Sequence, residues 1–468
     1  MFMRQGVQLI VTIVLARILT PEDFGVVAML ALFTGIASLF VDSGLSAALI
    51  QRQNVTPEDE STVYYFNLAA GGVMALLLCA LAPWIAAFFE QPILRYLTYS
   101  MAFNLFVGAF GSIHSTLLSK AMNFRVLAQV GAVSSALAGL LAIFMASRGY
   151  GVWSLAGYIL GSGMVTVLLL WRWHPWRPVT AFNMHSFRSL LRFGSYTMAA
   201  SLTDVISGNL HLILIGKLYS VRDAGLYSRA QNTQQLPISL MMGIVNRVAY
   251  STFSSVADDK ERLARGLRKA QSVSMLVNVP LLVGLIILAE PLVLTLFGEQ
   301  WLPCVPILQV LGLGGLLWPM HALNLNVLMA QGRPDLFFNI TVFKKVFTIS
   351  LTIAASYYGV MAIAWTHVLI SIFAYFVNTH YTKKMLAYGG MEQLRDIAMV
   401  FAAVIPMAAV IYFMDHALAV APYIRLIAAG VAGLGVYLLA CRLLCNESLN
   451  ECLTMAGVRK GAGSDKWV

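Results

Sequence analysis

Charge is what this sequence has least of. Asp, Glu, Lys and Arg make up 11% of its 468 residues, against about 25% in an ordinary soluble domain, while 59% are hydrophobic and the mean hydropathy is +0.76. No aqueous fold hides that much apolar surface. A net charge of +10 therefore does not point to nucleic acid, because no solvated domain exists to carry such a surface. The five cysteines, Cys79, Cys304, Cys441, Cys445 and Cys452, form no Cys-x-x-Cys and have no histidines at metal spacing, which argues against a zinc site or a disulfide framework. No P-loop Lys-Ser/Thr follows the glycine-rich stretches at Gly312–Gly315 and Gly430–Gly435, so no cofactor, metal or ATP chemistry is expected. No signal-peptide cleavage site follows the first apolar run, which starts at Met1 and already carries Arg4 and Gln5, as if the front of a first helix were missing.

What the chain does have is long apolar runs, each of roughly 18 residues or more, enough to cross about 30 Å of hydrocarbon as a helix. Read between charged or Pro/Gly turns, they give fourteen segments, from 2–19 to 422–444. The expected fold is an all-α polytopic membrane protein. The longest connection runs from Trp173 to Ser189, which leaves no room for an extramembrane catalytic domain and argues against an enzyme. Basic residues concentrate on one side, among them Arg52, Lys120, Arg125, Arg177, Arg265, Arg268, Lys383 and Lys384. The other side holds Arg17, Arg95, Arg148, Lys217, Arg222 and Arg425. By the positive-inside rule both termini face the cytoplasm.

Two turns repeat. Arg17-Ile18-Leu19-Thr20-Pro21-Glu22-Asp23-Phe24-Gly25 has a counterpart in Lys217-Leu218-Tyr219-Ser220-Val221-Arg222-Asp223-Ala224-Gly225, and Pro92-Ile93-Leu94 is echoed by Pro306-Ile307-Leu308. The first offset spans six helices, an even number, so the copies share orientation and make a parallel repeat, as in many transporters. The expected organisation is an N-terminal lobe at 1–172, a cytoplasmic linker at 173–189, a C-terminal lobe at 190–384, two additional helices at 385–446 and a cytoplasmic tail at 447–468.

Ionisable residues inside spans are costly and usually face a bundle interior or a wet cavity. Thr197, Ser201, Asp204, Gly208 and His211 share roughly an 80° arc of one helix, and Thr341, Lys344, Lys345, Thr348 and Thr352 roughly a 100° arc of another. The two stripes read as opposite linings of one cavity in the second lobe. Lys344 and Lys345 lie too deep to snorkel, and a multiply charged anion such as pyrophosphate would compensate them. Asp42, Asp204 and His211 are candidates for titration during transport, with a local Asp42–Arg52 ion pair as the plainer alternative. Asn232 and Gln235 suit sugar hydroxyls but serve equally well as helix glue.

The strings Ala16-Arg17-Ile18-Leu19-Thr20-Pro21-Glu22-Asp23-Phe24-Gly25, Asp42-Ser43-Gly44-Leu45-Ser46-Ala47-Ala48-Leu49-Ile50-Gln51-Arg52, Leu191-Arg192-Phe193-Gly194, Gly225-Leu226-Tyr227-Ser228-Arg229-Ala230 and Leu296-Phe297-Gly298-Glu299-Gln300-Trp301 resemble the polysaccharide transporter family of the multidrug/oligosaccharidyl-lipid/polysaccharide superfamily, the Wzx-type flippases, colanic-acid exporters above all. The resemblance implies about fourteen helices in two six-helix lobes plus two trailing helices. It also implies export of undecaprenyl-pyrophosphate-linked oligosaccharide, a precursor of O-antigen, exopolysaccharide or capsule, across the bacterial inner membrane by alternating access. The partners it implies are that lipid-linked cargo, membrane lipid, and the polysaccharide polymerase and chain-length proteins. It places a cationic cavity role on Arg52, Arg229, Arg247 and Lys344. His211 departs from the pattern, standing where relatives often carry Asp, which leaves Asp204 as the carboxylate. The rival readings are a multidrug/cation antiporter of the same superfamily, whose cavity would be dominated by acids, and a membrane polysaccharide polymerase or ligase, which needs a larger extramembrane loop than any here.

Overall fold

The computed structural model describes residues 2–42, 44–179, 182–255, 259–417, 420–446 and 449–450; of residues 2, 192, 193, 196, 240–252, 254, 255 and 334 only the backbone is described. Among the described residues the chain is helical throughout, without a strand. Contacts divide it into two compact units, Met1–Ser228 and Arg229–Val468.

The first unit holds α1 (Phe2–Ile18), α2 (Pro21–Met29), α3 (Ala31–Asp42), α4 (Leu45–Gln51), α5 (Pro57–Phe88), α6 (Ile93–Lys120), α7 (Phe124–Ser147), α8 (Val152–Trp173), α9 (Met184–Leu218) and the start of α10 (Val221–Ser255). The second continues α10 and adds α11 (Lys260–Ile287), α12 (Ala289–Leu296), a 3₁₀ turn at Glu299–Cys304, α13 (Val305–Gly315), α14 (Trp318–Ala330), α15 (Pro334–Ala355), α16 (Val360–Leu386), α17 (Gly390–Ala417) and α18 (Pro422–Leu444). Eleven helical spans among the described residues are long and apolar enough to cross a membrane, or twelve if α2 and α3, bent by 40° at Leu30, form one. Each of the fourteen sequence segments falls on a helix or a run of helices. Two fall short as spans: α1 has only 17 residues, and α10 carries Arg229, Gln231, Asn232, Gln234 and Gln235 in its middle. Large side chains outside the packed interior, such as Leu76, Trp84, Phe413 and Leu443, are 72–85% exposed, a surface suited to lipid tails and not to water.

The units part at Ser228, not at the 173–189 connection, because α9 packs against α3, α4 and α5. Its stripe and that of α15 therefore belong to different units. Local chemistry explains the element ends. Thr20-Pro21-Glu22-Asp23 and Thr56-Pro57-Glu58-Asp59 each build a capping box with proline in the first turn, starting α2 and α5. The Thr34 hydroxyl donates to the Leu30 and Ala31 carbonyls, back-bonding that bends helices, at the break between α2 and α3.

The repeat is realised at the same offset. α1 ends at Ile18 and α9 at Leu218, while α2 begins at Pro21 and α10 at Val221. Asp223 pairs with the Ser220 hydroxyl, at 2.7 Å, as Asp23 does with Thr20, at 3.1 Å. The two turns pack on each other within the first unit. A Cβ on Gly25 would lie 1.9 Å from the Val221 carbonyl oxygen, and one on Gly225 would lie 1.9 Å from that of Pro21. Glycine is required at both positions by backbone approach alone. Arg222 and Glu22 add an ion pair at 3.6 Å across the same contact.

In the second unit two buried polar groups repair backbone that proline leaves open. Pro280 has no N–H for the Leu276 carbonyl, and Tyr437 donates its hydroxyl there at 2.6 Å. Between α13 and α14, where Pro319 follows, Asn278 donates to the Gly315 and Leu316 carbonyls. Lipid offers no such partner. The corresponding helix of the first unit, α6, has no proline inside and is continuous.

Candidate functional site

The sequence places polar residues on three helices: α9, α10 and α15. On α9, Asp204 and Gly208 are exposed and Ser201 half-buried, whereas His211 is buried, its ring 4.9 Å from that of Tyr227. The stripe thus divides: its Asp204 half is open, and its His211 end is packed. Asp42 closes α3 and is exposed. The expected Asp42–Arg52 pair does not form. Arg52 instead donates to Asp59 at 3.2 Å, a carboxylate that is 1% exposed, and to Ser189 at 3.2 Å. Its carbonyl accepts from Lys120, as does that of Leu49. Arg52 is thereby the cation that compensates a buried acid between α4, α5 and α9.

On α10, Arg229 is 5% exposed and lies between two rings, its guanidinium 4.9 Å from Phe297 and 5.0 Å from Trp301. Such a box stabilises a cation through the ring faces. Asn232 and Gln235, further along the helix, are exposed. The Arg247 side chain lies outside the described residues.

On α15, Lys344 and Lys345 are half-buried. The Lys344 ammonium donates to the Asn378 amide oxygen at 3.0 Å. Asn378 in turn donates to the His321 carbonyl, and His321 pairs with the Ser371 hydroxyl at 3.0 Å. Among the described residues no carboxylate lies within ion-pair distance of Lys344. A neutral amide orients the ammonium without neutralising it, so it keeps its capacity to hold an anion. Asn378, His321 and Ser371 were not singled out in the sequence, since none of them shares a helical stripe with the cations it serves. Deeper still, Asn324, Thr382, Gln393 and Gln271 form a buried amide and hydroxyl cluster joining α14, α16, α17 and α11; these contacts are helix glue.

At the helix ends, Lys217 reaches Glu90 at 2.9 Å and lies over the Phe88 ring. That hydrogen bond holds the Glu90 carboxyl below its ordinary range. Among the described residues no group of three or more metal-type ligands occurs.

Residues 14–306 match the family described as polysaccharide biosynthesis protein. The chain is similar to the teichuronic acid biosynthesis protein TuaB of Bacillus subtilis, 29% identical over 364 residues that cover 76% of this chain and 73% of that one. It is also similar to the succinoglycan biosynthesis transport protein ExoT of Rhizobium meliloti, 30% identical over 315 residues, 67% of this chain and 64% of that one. Among solved structures, the lipid II flippase MurJ in an inward closed conformation superposes with a TM-score of 0.78 over 96% of this chain and 98% of that one, at 16% identity. That last likeness is one of fold.

Proposed function

This chain belongs to the polysaccharide biosynthesis protein family, and from that premise we propose that it is a flippase carrying undecaprenyl-pyrophosphate-linked oligosaccharide repeat units across the bacterial inner membrane. The observation that carries the proposal is Lys344, an ammonium half-buried inside an apolar span, held by a neutral amide and with Lys345 beside it. Burying an uncompensated cation costs several kcal/mol, and an anion that binds there and leaves again offsets that cost during each passage. Pyrophosphate on a lipid carrier has the right charge and travels in the right medium. Relatives named for polysaccharide biosynthesis and transport support the choice of cargo. The boxed Arg229 and the Asp59-bound Arg52 then act in folding, and Lys344 and Lys345 act in binding.

The excess of basic residues on one set of connections supports a topology with both termini in the cytoplasm. The repeated turns support an internally duplicated transport fold. No polar constellation for bond making is needed, since transport breaks no covalent bond.

The test is reconstitution of the full chain in proteoliposomes with undecaprenyl-pyrophosphate-linked oligosaccharide, read by the appearance of glycan on the far face. Wild type should translocate it, and Lys344→Ala should slow translocation about tenfold. A wild-type protein that moves organic cations against protons but no polyprenyl-pyrophosphate glycan would sink the proposal in favour of an antiporter.

A further inference from the structure

We propose that the first unit contains a recognition site for the sugar hydroxyls of the cargo, in a cavity of about 490 Å³ between α3–α4 and α6. The identity of the cargo rests on the flippase reading above; the chemistry of the cavity does not.

Its size lies within the range of roughly 300–1,000 Å³ typical of small-ligand pockets. Its polar lining is six serine and threonine hydroxyls, one amide and one carboxylate. The hydroxyl of Ser38 donates to the Thr34 carbonyl at 2.8 Å, that of Thr116 to the Ser112 carbonyl at 2.9 Å, and that of Ser119 to the Ser115 carbonyl at 2.8 Å. Ser38 and Ser119 thus engage their protons on the helix backbone and still offer oxygen lone pairs, whereas the Thr116 hydroxyl also pairs with that of Ser46 at 3.0 Å. Asp42 adds a carboxylate, also an acceptor, and Asn104 an amide on the same wall. No lysine or arginine lines the cavity.

A wall of hydroxyls and an amide, which both donate and accept, with one carboxylate and no cation, disfavours phosphate and fits a neutral ligand rich in hydroxyls, which describes a sugar ring. Val41 and Leu105 provide apolar surface for the C–H face of such a ring. The cavity also has an open floor. A Cβ at Gly108 would meet nothing within 4 Å, so a side chain added here starts into open space.

The experiment uses the purified full chain and two ligands: bare undecaprenyl pyrophosphate, and the undecaprenyl-pyrophosphate-linked repeat units extracted from an exopolysaccharide-producing bacterium. Wild type should bind the glycosylated lipid more tightly than the bare one. Gly108→Phe should weaken the glycosylated lipid about tenfold, the equivalent of one or two lost hydrogen bonds, and leave the bare lipid unchanged. Thr116→Val should do the same to a smaller degree. Equal weakening of both ligands, weakening of neither, or competition by tetramethylammonium would overturn the site. If wild type binds neither lipid, the flippase reading fails by itself. The cavity is then judged by alkylation of Gly108→Cys, followed site by site by mass spectrometry: a mixture of neutral oligosaccharides must slow it, and inorganic pyrophosphate must not.

Discussion

Both units place charge at or within their helices, yet they compensate it differently. In the first, Arg52 neutralises the buried Asp59, and the cavity beside it is lined by Asp42, Asn104 and serine and threonine hydroxyls. In the second, Lys344 meets an amide oxygen and, among the described residues, no carboxylate, and Arg229 lies between aromatic rings. The contrast teaches that a charged residue within a span identifies a binding position only when its partner leaves its charge unanswered. By that criterion the proposed cargo contact is Lys344, while Arg52 and Arg229 are proposed to serve the architecture.

The largest effect is expected where the first unit closes its repeated turns. Gly25→Leu and Gly225→Leu each drive a side chain into a carbonyl of the opposing turn and should cost about 3 kcal/mol, read as loss of folded protein in detergent, whereas Gly108→Ala should be silent in the same assay. Next, Arg52→Ala should lower stability by about 2 kcal/mol, because the Asp59 carboxylate stays buried without its cation, while transport per folded molecule persists. Lys344→Ala should do the opposite, leaving the melting temperature unchanged or raised. If both variants behaved alike, the distinction between the units would collapse.

Smaller effects sharpen it. Thr20→Ala and Thr56→Ala each remove a capping box and should cost about 1 kcal/mol, equally, since the two boxes share one sequence. Smallest is the exposed Lys217–Glu90 contact. Its carboxyl is depressed below 4.5, so the contact is present above that pH and is lost as pH falls through the lower folded value. The difference in melting temperature between wild type and Glu90→Gln should be constant from pH 7 to about 4.5 and vanish below.

Much of the fold was legible beforehand. Every apolar segment coincides with a helix or a run of helices, and the turn at Arg17–Gly25 recurs two hundred residues on with its helix ends in register. The site was legible only as a set of residue types. Arg52, Arg229 and Lys344 look alike in a string: each is a basic residue in or beside an apolar run. Their partners, Asp59, Phe297 with Trp301, and Asn378, lie 7 to 72 positions away in the chain, and hydropathy carries no information about which of them the side chain meets. Asn278 and Tyr437 were invisible for the same reason, since their task is set by Pro319 and Pro280 on neighbouring turns or helices.

By itself, then, the sequence determined the solvent and the secondary structure. With so little charge the chain has to bury its backbone in helices, because hydrocarbon satisfies no N–H or C=O. Only the tertiary structure decided which buried charges are already answered: compensation depends on an approach of about 3 Å between side chains from different helices, and that distance is fixed by packing. The scarcity of charge named the membrane, and the company each remaining charge keeps separates folding from function.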